Sequence, residues 1–352
     1  MRFLAVLYAL IALAAASPIG FFDELFKRQR RAPSPGWVNA VSSNSSNSSN
    51  SSGGSNSTGY SNSSNASNAS NSSSGQGGQT LKLQLIVTGG QLPASSSSWS
   101  DVEITTLFNS SRTLNSSQLY EVGKTVNTTL SNSSYSGVAV LANENSLESL
   151  GFFLSVVADT NKSVVVGKKA ADIVKVANTT YAANRGSLVS SDGYIYSGAV
   201  YDPFSAGWGA IGAVYSDAVS WLYSPANATL VATDSSIRTN YSNFTNVDVS
   251  NSSLPIVPIV YDGDYDSSLL SSLSGSVQGV VIVSSGNSTT STITSSSLPI
   301  VFASYDEPVW PTDVPMGAIA GGYLSPVKAQ LLLTIALVND VTSSSSLVSV
   351  FP

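Results

Sequence analysis

From Ser42 to Gly78 the chain is almost wholly serine, asparagine and glycine, with no apolar periodicity. Such a stretch has nothing to bury against the entropy of ordering its backbone, so a disordered arm is expected and the folded body must lie beyond it. The arm carries N-glycosylation sequons at Asn44, Asn47, Asn50, Asn56, Asn62, Asn65, Asn68 and Asn71. Crowded sugars would hold it extended.

Ahead of the arm, Arg2 supplies a positive n-region, Phe3 to Leu13 an apolar run and Ala14-Ala15-Ala16 a small-residue cleavage site, the pattern of a secretory signal peptide over 1–16. The basic pairs Lys27-Arg28 and Arg30-Arg31 then suit processing after Arg28 and Arg31, which makes 17–31 a propeptide; a bare exposed basic cluster is the alternative. Further sequons at Asn109, Asn115, Asn127, Asn132, Asn161, Asn178, Asn227, Asn240, Asn243, Asn251 and Asn287 fit the same secreted destination, extracellular or in a cell wall.

The residue inventory narrows the chemistry. There are no cysteines and no histidines, so disulfides, thiolate nucleophiles, Ser-His-Asp triads and the commonest zinc geometries are excluded. What remains is carboxylate, hydroxyl, lysine and amide chemistry, and neither cofactor nor metal is expected. Charged residues are 10% of the chain and the net charge is −6, which argues against a nucleic-acid partner. The apolar run Leu331 to Val338 falls short of the roughly 20 residues a membrane span needs.

Leu81 to Val87 reads as a buried strand running into the glycine turn Thr88-Gly89-Gly90, a pairing that marks the carboxyl end of a strand in an open α/β sheet. Gly137 to Ala142 is a second such strand. On the helix after it Leu147, Leu150, Leu154 and Val157 share a face, and Asn145 with Glu148 forms a candidate capping box. Ser163 to Val166 and Gly186 to Val189 add two more strands, and strand–helix–strand order implies parallel pairing. A second α/β set follows the polar stretch around 226–253: Pro255 to Tyr261, Gly279 to Ser285, Pro299 to Ser304 and Gly317 to Leu324. A last helix starts with Ser325 as N-cap and Pro326 at N1, buries Val327, Leu331, Leu332 and Ile335, and ends near Asn339. The expected division is an arm over 32–78, an N-terminal domain over 79–225, a connection over 226–253 and a C-terminal domain over 254–352.

These segments, in this order, resemble the bacterial-type (type II) L-asparaginases: Thr88-Gly89-Gly90, Gly137-Val138-Ala139-Val140, Phe152-Phe153-Leu154 and Lys162 to Val166, then Leu254-Pro255-Ile256-Val257, Gly279-Val280-Val281 and Gly321 to Ala329. The resemblance covers roughly 81 to 340. It implies an α/β fold of two domains, a larger one with a parallel sheet and a smaller Rossmann-like one, and a homo-oligomer, dimer or tetramer, with sites formed between subunits.

In that family a threonine directly after Thr-Gly-Gly attacks a side-chain amide, and a Thr-Asp pair with a lysine activates it. The matching positions here are Gln91 for the nucleophile, Glu144 and Asn145 for the pair, and Pro203 for the lysine. Glutamine offers no nucleophilic oxygen, asparagine accepts no proton and proline does not ionise. The resemblance therefore points to a cell-surface or cell-wall glycoprotein that keeps the fold without efficient hydrolysis. The alternative is an active extracellular asparaginase in which Thr88, or a hydroxyl among Ser95 to Ser98, replaces the nucleophile with Glu144 as base. A third reading is a module that binds a small amino acid without cleaving it.

Three features are open to a plainer account. Asp262, Asp264 and Asp266 alternate, but no bidentate glutamate follows at the spacing of a calcium loop, so a surface loop is expected. Gly207-Trp208-Gly209 and Trp221 could line a sugar-binding face, in keeping with association with a wall polysaccharide, or could serve as core or interface. Lys168-Lys169 reads as a solvated strand end.

Overall fold

The computed structural model describes residues 81–90, 92–94, 99–158, 160–204, 207–222, 254–262, 272, 275–284 and 298–352, all within one compact unit, Ser74–Pro352. The signal, propeptide, arm and the 226–253 connection lie outside the described residues, as do Arg28, Arg31, Gln91, Ser95 to Ser98, Asp264, Asp266 and the sequons at Asn227, Asn240, Asn243, Asn251 and Asn287.

The first sheet is built from β1 (Lys82–Val87), β2 (Val102–Thr106), β3 (Tyr135–Leu141), β4 (Ser163–Gly167), β5 (Ser187–Ser191), β6 (Tyr194–Ser197), β7 (Gly212–Val214) and β8 (Val219–Trp221), in the order β2-β1-β3-β4-β5-β6-β7-β8. Pairing is parallel from β2 to β5. From β5 onward it is antiparallel, because Asp192 and Gly193 turn β5 straight back into β6 with φ of 51° and 83°. That flank is an addition to the expected parallel sheet. The second sheet holds β9 (Ile259–Tyr261), β10 (Val280–Val283), β11 (Ile300–Ala303) and β12 (Ile319–Ala320), all parallel in the order β12-β11-β10-β9. These strands are shorter than the sequence predicts, and Pro255 and Pro258 keep β9 to Ile259–Tyr261, since proline cannot donate to a ladder.

The apolar runs are continuous because both faces of each sheet are covered. Along β3, Val138 and Val140 face one core while Ala139 and Leu141 face another. The second of these cores is closed by α3 (Ala170–Ala177), which contributes Ile173 and Val176. The first lies under α1 (Ser116–Ser131) and α2 (Leu147–Val157) and continues into α4 (Pro326–Val338) and the second sheet, joining Leu150 and Phe152 to Val281, Leu332 and Ile335. A short α5 (Ser344–Val348) follows.

Helix α1 escaped the sequence reading because its surface is threonine, serine and asparagine, weak helix formers. Yet Leu119, Val122, Val126 and Leu130 make a buried stripe, and Asn115 caps it in a reciprocal box with Gln118. The capping box expected from Asn145 and Glu148 is not formed. Glu144–Ser146 is a single 3₁₀ turn leading into α2, and neither Asn143 nor Ser146 makes a side-chain cap. Ser325 does cap α4, with Oγ accepting from Lys328 N. Among the described residues no helix is long and apolar enough to cross a membrane.

Candidate functional site

Parallel strands bring their carboxyl ends to one edge of the sheet, and the crevice beside that edge is where open α/β sheets bind ligands. Here the ends of β1, β3, β4 and β5 present Thr88, the stretch Asn143 to Asn145, Lys168 and Asp192.

Thr88 has 0% exposure. Its Oγ1 donates to the Leu141 carbonyl at 3.0 Å and its N–H to the same oxygen at 2.8 Å. The hydroxyl is thus tied to the β3 backbone and holds the turn. At Gly89 any side chain would collide with the Ser110 carbonyl, which makes glycine obligatory there. Asn143 braces the other side: its Nδ2 donates to Ser110 O at 3.0 Å and Arg112 O at 2.9 Å. Buried Ser146 adds to this brace, its Oγ accepting from Leu114 N at 3.2 Å. The crest is rigid backbone stapled by amides and hydroxyls.

Charge enters through one lysine. Lys168 Nζ sits 2.8 Å from Glu144 Oε1 and 2.9 Å from Asp192 Oδ1. The hydrogen bond to Glu144 first, and that to Asp192 second, raise the Lys168 pKa. Lys168 in turn holds the Asp192 carboxyl below its ordinary value. Lys168 is therefore a fixed cation rather than a free strand end. The sequence showed it only as half of a Lys-Lys pair; its partners come from two other strands, 24 residues distant in the case of Glu144.

The remaining expected positions are not gathered at this cation. Asn145 is exposed, and its carbonyl accepts from Thr113 Oγ1 at 3.3 Å. Pro203 is exposed in the turn after β6. Its neighbour Asp202 accepts from Phe204 N at 2.9 Å and acts electrostatically on a second polar cluster.

That second cluster joins the two α/β sets. Ser325 Oγ donates to Glu148 Oε1 at 2.5 Å, and Lys328, only 4% exposed, lies within reach of the charges of Glu148 and Asp202. Burial raises the Glu148 carboxyl, against the Ser325 hydrogen bond and the Lys328 charge. Burial likewise lowers the Lys328 ammonium. Neither charge is comfortable, as expected where desolvation outweighs attraction. Among the described residues no cluster of three or more acidic, histidine or cysteine side chains is placed to hold a metal ion.

No family model matches the chain. It is 42% identical over 372 aligned residues to Protein YGP1 of Saccharomyces cerevisiae, spanning 100% of both chains. It is also 42% identical over 292 residues to the sporulation-specific wall maturation protein of the same yeast, covering 76% of this chain and 88% of that one. Among solved structures it is similar to a probable cytoplasmic L-asparaginase from Campylobacter jejuni, with a TM-score of 0.61, 18% identity, and coverage of 77% of this chain and 98% of that one. At that identity the likeness is one of fold: a large sheet and a smaller parallel sheet in an asparaginase-like, two-domain α/β arrangement.

Proposed function

Because this chain belongs to the family of Protein YGP1 and the sporulation-specific wall maturation protein of Saccharomyces cerevisiae, we propose that it is a secreted, N-glycosylated cell-wall or cell-surface protein that keeps an asparaginase-like fold without efficient amide hydrolysis. The name of one relative, the sporulation-specific wall maturation protein, supports a place in the wall. The loss of chemistry rests on one observation. The lysine at the strand ends is held protonated by Glu144 and Asp192, whereas activating a hydroxyl needs a group free to take its proton. Thr88, the hydroxyl of the β1 turn, is buried and already donating to Leu141.

The test is ammonia release by the purified, deglycosylated chain supplied with L-asparagine and L-glutamine. No release above buffer is expected; turnover that a Glu144→Ala change abolishes would overturn the proposal and favour a working amidohydrolase.

A second reading, retention of a small amino acid without cleavage, is supported by the place of the charged triad, since the exposed Glu144 and Asp192 carboxylates stand at the strand ends where open α/β sheets bind ligands and would take an amino group. Calorimetric titration with the same two amino acids tests it, and absence of heat for both removes it. The fold likeness also motivates a homo-oligomer, which sedimentation velocity of the glycosylated and deglycosylated chains would detect or dismiss.

A further inference from the structure

The antiparallel flank carries a groove of about 460 Å³ lined by Tyr194, Trp208, Tyr215 and Leu222 over a floor that includes Gly207, Gly209 and Gly212. We propose that this groove binds a neutral polysaccharide strand of the wall, with the Trp208 indole as the stacking platform.

Local chemistry sets Trp208 outward. Gly207 and Gly209 on either side of it have φ of 96° and 75°, a region L side chains rarely enter, so the Gly-Trp-Gly turn is one that only glycines close without strain. The result is an indole 81% exposed, next to exposed Tyr215 and Leu222 in the same groove, and a contiguous exposed apolar patch of this kind marks a binding surface. The turn is supported from beneath. Ala210 N–H donates to Gly207 O at 3.3 Å, Ile211 N–H to Ile195 O at 2.7 Å and Leu222 N–H to Ile211 O at 2.9 Å. Tyr194 packs toward Tyr196 with ring centroids 6.4 Å apart, and Tyr196 meets Tyr201 edge-on at 5.2 Å. The loop bearing Tyr215 is pinned to α3, since Lys175 Nζ donates to the carbonyls of Tyr215 and Ser216 at 2.7 and 2.8 Å. The aromatic walls are thus set on bonded strands and turns.

The lining selects the ligand class. Among the described residues it contains no carboxylate, ammonium or guanidinium, so none of them would compensate a charged ligand on desolvation. Aromatic faces match the C–H faces of pyranose rings, and tyrosine hydroxyls with a glycine floor offer hydrogen-bonding groups to sugar hydroxyls. The volume lies within the roughly 300–1,000 Å³ of small-ligand sites, a few sugar units rather than a folded partner. Trp221 takes no part: the Arg185 guanidinium lies 4.5 Å over its ring, which packs against the core beneath the sheet. The sugar's origin in the wall rests on the proposed location of the protein; the groove itself does not, and it is independent of whether amides are cleaved.

Purified, deglycosylated full-length chain would be titrated with soluble β-glucan oligosaccharides, chitin oligosaccharides, mannan and, as a charged control, polygalacturonate, following tryptophan fluorescence and heat. Saturable binding of a glucan or chitin oligosaccharide is expected, weakened by roughly tenfold or more in Trp208→Ala and largely kept in Trp208→Tyr. Both variants should fold normally, shown by an unchanged melting temperature, because the side chain is exposed. The proposal is overturned by no binding to any of the three neutral polymers, by binding that Trp208→Ala leaves intact, or by preference for the charged polymer. Binding of mannan, also a neutral pyranose polymer, supports it equally, whereas a loss of oligomeric mass in Trp208→Ala would overturn it by showing the groove to be a contact between copies. Ammonia release measured on the same samples keeps the two proposals separable.

Discussion

Glu148, in the first turn of α2, accepts a 2.5 Å hydrogen bond from Ser325, the N-cap of α4, across 177 positions of sequence. The serine does two jobs, since the same Oγ accepts from the Lys328 N–H. Through it the start of one helix and the start of another, from the two α/β sets, share one polar knot beside a buried lysine.

Removing the carboxylate should therefore unsettle more than one bond. Glu148→Ala is expected to destabilise by about 3 kcal/mol, because it both strips buried Lys328 of a compensating charge and leaves the Ser325 hydroxyl without its acceptor. Glu148→Gln loses the charge but can still accept from Ser325, and should cost less, about 1–2 kcal/mol. Adding Lys328→Met to the latter should recover most of the loss. Urea midpoints of the three variants check this, and equal midpoints for the alanine and glutamine forms would count against it.

The pH dependence has opposite signs at the two sites. Burial raises Glu148 above its ordinary value of 4.5, so the folded state holds that proton longer than the unfolded chain. Its contribution is full below 4.5 and is lost as pH rises through the raised folded value. Lys168 lowers Asp192 from 3.8, so that contribution is present above 3.8 and lost as pH falls through the depressed value; being largely exposed, it should amount to no more than about 1 kcal/mol. Denaturation midpoints followed across acid pH should show the cost of Glu148→Gln shrinking as pH rises. Those of Asp192→Asn should approach the parent's as pH falls.

Asn115 serves two purposes that mutation can separate. Its Oδ1 caps α1 by accepting from Gln118 N at 3.0 Å, and the same residue opens a sequon whose sugar would attach at Nδ2. Asn115→Asp should lose any glycan yet keep the cap, whereas Asn115→Ala should lose both and cost about 1 kcal/mol. Mass spectrometry and thermal melts of enzymatically deglycosylated samples distinguish them.

Tyr120 packs edge-on to Phe153, with ring centroids 4.9 Å apart at 77°, but its buried hydroxyl has no hydrogen-bond partner among the described residues, and burial pushes its pKa upward. Tyr120→Phe keeps the ring contact and discards an uncompensated polar atom. The variant should melt higher, by an amount matching about 1 kcal/mol; a lower melting temperature would contradict this.

Sequence alone located β1, β3, β4, β5 and the strands of the second sheet, the β1 glycine turn and both ends of α4, because valine-rich runs, Thr88-Gly89-Gly90, Ser325-Pro326 and Asn339 are local signals whose physics acts within a few residues, whereas β2 and the antiparallel flank β6 to β8 gave no such signal. It also set which chemistry was available, by omitting cysteine and histidine. Helix α1 stayed hidden because its stripe is diluted by threonine and serine, and its stability comes from packing on β3 rather than from propensity. Tertiary structure alone decided what Glu148 does. A carboxylate three residues after Asn145 satisfies the local rule for a capping box, yet a hydroxyl from α4 competes for it and wins, closing a buried network that the local box would leave open. The same holds for Lys168, whose charge is defined by Glu144 and Asp192. Ion pairs between strand ends depend on which strands are neighbours, and that order is a property of the assembled sheet.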